Sequence, residues 1–72
     1  MDLPEFSVHW KDCSGEWHQK SYRVIADIAA KQVLELQRSI QCKVGLVRSI
    51  IIRDGRGNRV FEWQFHVGTV WI

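Results

Sequence analysis

Three arginines fall within seven residues near the C-terminal end, in the run Arg53-Asp54-Gly55-Arg56-Gly57-Asn58-Arg59. A guanidinium is a rigid planar fork of donors that matches carboxylates and phosphates two bonds at a time. Glycine on either side of Arg56 gives the run the freedom of a tight turn. Arg53, Arg56 and Arg59 therefore suit contact with an acidic protein surface or with phosphate. A plainer account leaves them as a solvated loop whose charge keeps neighbouring strand edges from pairing with other chains. Trp17 and Trp71 are the aromatic counterparts, because exposed tryptophan beside arginine is the composition of interface anchors. Trp10 and Trp63 fall on apolar faces and read as packing. Lys20 and Arg48 add charge with which an open sheet can hold a single strand by stacking and backbone attraction. The basic Gly-Phe-Gly-Phe run of RNA-recognition sheets is absent from the sequence.

Other chemistries find less support. The sequence has no Gly-x-Ser-x-Gly elbow, no glycine-rich loop opening a helix and no carboxylate pair spaced as an acid–base couple. The expectation is that the protein is not an enzyme and needs no cofactor. His9, Cys13 and His18 surround one expected hairpin, and Cys42 completes a conceivable zinc set. Zinc sites commonly begin with two cysteines on one tight turn, and that pair is missing. His9 and His18 read instead as plain strand residues on an outer face, and no metal is expected.

The elements that must position these side chains belong to one small domain over residues 1–72. A chain of 72 residues buries only about 60% of its unfolded surface. Its 46% hydrophobic content and eight aromatics are nevertheless those of a folded domain, not a disordered one. No apolar run exceeds three residues, as in Ile50-Ile51-Ile52, which excludes a helical membrane span. The opening Met-Asp-Leu-Pro-Glu-Phe has neither the basic nor the apolar region of a secretion signal. A cytoplasmic location follows as the expectation, with Cys13 and Cys42 as free thiols. The net charge of +2 is too small to name a nucleic-acid binder, but its distribution is uneven. Residues 1–36 carry four basic against six acidic side chains, and residues 37–72 carry six against two. A basic surface on the C-terminal half is implied.

Residues 5–11 alternate, with Phe6, Val8 and Trp10 on one face, which predicts a half-buried strand. Residues 12–15 are turn chemistry, and 17–25 return as a second strand with Tyr22 and Val24 sharing a face. Trp17 has the opposite parity, so it is exposed unless a bulge intervenes. Asp27 stands where a helix N-cap belongs. Ala29, Val33, Leu36 and Ile40 form one stripe of an amphipathic helix ending near Gln41, with Lys31 and Glu35 spaced to pair. Residues 45–53 and 59–66 form a second hairpin about the arginine turn. Phe61, Trp63 and Phe65 face the core. On the third strand Leu46, Arg48, Ile50 and Ile52 compete for the buried face with Val47, Ser49, Ile51 and Arg53, since a one-residue slip inverts both sets, and burial of Leu46, Ile50 and Ile52 is preferred. Val60, Glu62, Gln64, His9 and Lys20 point outward. The apolar tail, residues 67–72, either adds a short strand or covers one end of the core, and it also suits a homodimer contact. No repeat is evident. The expected fold is α+β, a ββαββ arrangement with one antiparallel sheet and a single amphipathic helix across one face.

The join through residues 21–36, Ser-Tyr-Arg-Val-Ile-Ala-Asp-Ile-Ala-Ala-Lys-Gln-Val-Leu-Glu-Leu, resembles in layout many small phage-encoded proteins, among them anti-CRISPR proteins and inhibitors of host RNA polymerase. The resemblance covers roughly residues 5–66 and transfers no functional residue. It implies a stand-alone inhibitor that binds a larger host machine. Those proteins are often acidic mimics of nucleic acid, whereas this chain is mildly basic. The expected partner is therefore a larger protein or ribonucleoprotein with an acidic patch. Binding of nucleic acid on the open sheet face is the alternative.

Overall fold

In the computed structural model, residues 5–71 are described, Trp71 by its backbone alone. Five strands, β1 (Phe6–Asp12), β2 (Trp17–Val24), β3 (Val47–Arg53), β4 (Arg59–Gln64) and β5 (Gly68–Trp71), form one antiparallel sheet in the order β2-β1-β3-β4-β5. Between β2 and β3 run α1 (Ala26–Arg38) and the short α2 (Ile40–Lys43). The order is thus ββααβββ, with a second helix and a fifth strand beyond the expected ββαββ. Among the described residues no helix is long and apolar enough to cross a membrane.

The two hairpins use the same turn, each built on an Asp-x-x-Gly segment. Asp12 Oδ1 accepts the amides of Ser14 and Glu16, and Asp54 Oδ1 accepts those of Arg56 and Asn58. Gly15 and Gly57 then take φ of +93° and +84°, the left-handed position that closes such a hairpin.

The core lies between the helices and one face of the sheet. Val8, Ala29, Val33, Cys42, Val47 and Ile50 are buried, with Phe6, Trp10, Val24, Leu36, Ile52, Phe61 and Trp63 packed around them. Helix α1 touches β1, β2 and β3, and α2 touches β3, so β4 and β5 lie beyond the helical cover. The predicted apolar faces of β1 and β4 are met at Phe6, Val8, Trp10, Phe61 and Trp63, whereas Phe65 falls in the turn after β4.

Several expectations fail for identifiable local reasons. The helix starts two residues early, with Ile25 as N-cap and Asp27 in the first turn, where its charge still complements the helix dipole. Glu35 lies 4.0 Å from Lys20 instead of pairing with Lys31. Lysine placed N-terminal to glutamate is the weaker orientation of an i, i+4 pair. Ser39 breaks the helix, its backbone extended at ψ 152° and its hydroxyl accepting the Cys42 amide while donating to the Leu36 carbonyl. The break turns Ile40 out to 76% exposure and brings Cys42 into the core in its place. Leu46 is likewise exposed. Its amide bonds the Gln41 carbonyl and that of Gly45 bonds Cys42, the Schellman closure of α2, so β3 begins only at Val47. Arg48 is then an extra residue between the pairs Lys11–Ser49 and Asp12–Val47, and that bulge puts Val47 on the core face with Ile50 and Ile52.

Candidate functional site

Helices cover one face of the sheet only, and the pairing register says what the other face displays. Gln19, His9, Ile51 and Glu62 form one row across β2, β1, β3 and β4. Trp17, Lys11, Ser49 and Gln64 form the next. Ser7, Arg53 and Arg59 form the row at the opposite end. Ile51 and Ser49 are buried even here, because the central strand is hedged by longer side chains on both sides.

Residue Tyr22 joins this face through a bulge. Phe6 pairs with Val24 and Val8 with Ser21, so Tyr22 and Arg23 together oppose Ser7. Arg23 takes φ of +57°, an uncommon backbone for a residue with a side chain. The extra residue separates Tyr22 from Val24. Val24 packs in the core, while Tyr22 is 66% exposed. The expectation that the two share a face is overturned, and the Tyr22 ring stands in solvent. A second shift, at Lys20, puts His18 on the helix side, stacked on Trp10 at 4.4 Å, and not on the outer face.

A cleft of about 410 Å³ opens where Tyr22 and Arg23 face the second hairpin. Ser7, His9 and Gln19 lie along it, with Arg53, Gly55 and Gly57 opposite. Burial, and secondarily the Arg53 guanidinium, hold the His9 imidazole below its usual pKa. His9 Nε2 lies 3.0 Å from Ser7 Oγ. The two carboxylates at the cleft are already engaged. Glu5 receives Arg23 Nε at 2.7 Å, and Asp54 is tied to its own turn, whose amides hold its carboxyl below the ordinary range. Arg53 spends one donor on the Gly57 carbonyl.

The three arginines of the turn have different surroundings. Arg53 borders the cleft, Arg56 stands exposed at the tip, and Arg59 donates to Glu62. Trp17 is 50% exposed, as the parity argument expects, and lies in the row at the far end of the face with Lys11 Nζ 5.6 Å from its ring centre. The arginines and Trp17 thus share a face without sharing a patch. The Trp71 side chain lies outside the described residues, although its backbone pairs with Glu62. Lys20 leans toward Glu35 of α1, and Arg48 lies over the Phe65 ring at 5.4 Å.

No family model, curated protein or solved structure matches this chain.

Of the conceivable zinc set, His9 lies on the open face, His18 on the helix side, Cys13 exposed in the first turn and Cys42 in the core. Both cysteines are free. The structure groups other donors instead: Asp12, Glu16 and His18, with ligand atoms within 4.8 Å of one another. Asp12 and His18 already bond one another at 2.7 Å and Asp12 also binds the turn amides, while Glu16 closes the hairpin through its backbone.

Proposed function

We propose that this protein is a small, non-enzymatic binding protein that occupies a surface of a larger protein or ribonucleoprotein. The observation that carries this reading is the uncovered face of the sheet. A helix shields one side, while the other presents Arg53, Gln19 and Tyr22 around a cleft and Lys11, Gln64 and Trp17 in a row toward the far end. An antiparallel sheet tolerates such a solvated face, and mixed basic, polar and aromatic side chains on it suit recognition. Arg53, Arg56 and Arg59 supply the charge at one end, and Trp17 the aromatic anchor at the other. Inhibition by occlusion, as the layout of the phage-encoded inhibitors implies, needs no more than this.

Affinity capture from cells that encode the protein tests the reading when variants of both faces are compared. Replacing Arg53, Arg56 and Arg59 together by alanine removes the captured partner and leaves the melting temperature nearly unchanged. Leu34→Ala, on the exposed side of α1, retains it. The reverse pattern, loss with Leu34→Ala and retention by the triple variant, overturns the assignment of the working face.

A further inference from the structure

Tyr22 and Trp17 belong to the same edge strand and the same face; Trp17 stands beside Lys11 of the neighbouring strand, and Tyr22 lines the same cleft as Arg53, two strands away. Tyr22 opposes Ser7, whose partner on β3 is Arg53, and Trp17 pairs with Lys11. Both rings are at least half exposed. Ser7 and Lys11 are four residues apart on β1, about 13 Å along an extended strand. Gln19 and His9, both polar, lie between the two ring positions. Two stacking rings and two basic groups, joined by a hydrogen-bonding floor, are the arrangement that holds an unpaired strand through its bases and backbone. The interval spans about four stacked nucleotides at 3.4 Å each.

We infer that the open face binds single-stranded nucleic acid, laid along β2 and β1 with bases on Tyr22 and Trp17 and phosphates on Arg53 and Lys11. This rests on the open face being the working surface, and it names the chemistry that the face touches. The cleft beside Tyr22 supplies room for a base, and Gly55 and Gly57 across it place backbone without side chains where a phosphate approaches Arg53. The bulge at Arg23, with its left-handed backbone, is what turns Tyr22 onto this face. An acidic peptide fits less well, because it uses the cations but leaves both rings unpartnered.

The test titrates the intact protein with an oligothymidylate of about eight nucleotides, within the site sizes of small single-strand binders. Tryptophan emission and the amide spectrum of Gly55 and Gly57 are followed. Saturable quenching is expected, with most of it lost in Trp17→Phe. Tyr22→Ala weakens binding about fivefold or more, and Arg53→Gln about tenfold, while both variants keep the wild-type melting temperature. With two phosphate contacts, one at Arg53 and one at Lys11, affinity falls about sevenfold between about 50 and about 200 mM salt. A duplex of the same sequence binds less well, because its bases cannot reach the rings. The inference is overturned by absence of saturation at low salt, by binding indifferent to Tyr22 and Arg53, or by an octaglutamate peptide that binds as well as the oligonucleotide. If those results stand beside loss of the partner in the triple arginine variant, nucleic acid is excluded while the open face remains the working surface.

Discussion

The Arg53 guanidinium lies close enough to His9 on the open face to depress its pKa, although the two residues belong to different strands. Burial is the larger cause and Arg53 the second. Arg53→Gln therefore raises the His9 pKa only part of the way toward 6.5, as an NMR titration of the imidazole will read. The neutral ring is the form that the fold prefers, so protonation favours the unfolded chain. This contribution to stability is complete above 6.5 and is lost as the pH falls through the folded value. A denaturant series across that window shows the decline in the wild type and a smaller one in Arg53→Gln. An unmoved His9 titration places the arginine elsewhere.

Asp12 governs a separate, more acidic limb. Hydrogen bonds from His18 first, then from Ser14 and the amides of the turn, hold its carboxyl far below the ordinary carboxylate range. A depressed carboxylate contributes stability that is fully present above about 3.9 and disappears as the pH falls toward the folded value. Asp12→Asn keeps an oxygen for the turn amides but removes the charge, so the variant is less stable at pH 7 and its stability changes less in acid. Urea midpoints at pH 7 and pH 3 compare the two proteins. An equally steep acid limb in the variant excludes Asp12 as its source.

Glycine replacements separate backbone strain from crowding. Gly57 has φ of +84° and open space where a Cβ would stand, so Gly57→Ala costs only the left-handed backbone, about 1–2 kcal/mol. Gly45 has nearly the same φ, but an added Cβ would lie 3.2 Å from Phe65 Cε1. Gly45→Ala is therefore the more destabilising, and thermal melts of the two variants rank them. Equal melting temperatures would mean that the Phe65 ring moves aside freely.

Two isoleucines test where the core ends. Ile50 is fully buried and Ile40 is 76% exposed. Ile50→Ala costs about 2–5 kcal/mol, comparable to the whole of about 3–5 kcal/mol that a core of this size supplies. Circular dichroism of that variant at 25 °C is expected to show a substantial unfolded fraction. Ile40→Ala changes stability by less than about 0.5 kcal/mol. A large loss from Ile40→Ala would place that side chain back on the helix stripe from which Ser39 turns it.

Local chemistry was enough to predict much of this protein. The alternation of Phe6, Val8 and Trp10, the Asp-x-x-Gly turns and the spacing of Ala29, Val33 and Leu36 each act within a few residues, so strands, hairpins and helix could be read along the chain. The half-exposed Trp17 and the arginine turn were legible for the same reason. The composition of the open face was not. Each strand bulge adds one residue and exchanges the two faces beyond it, and a bulge exists only in relation to the partner strand. The shifts at Tyr22–Arg23, Lys20 and Arg48 therefore decided that Tyr22 faces solvent, that His18 stacks on Trp10 and that Val47 replaces Leu46 in the core. Ser39 did the same for the helix, exchanging Ile40 for Cys42. Pairing β1 with β3 placed Ser7 and His9 beside Arg53, more than forty residues on in sequence, and so assembled the cleft.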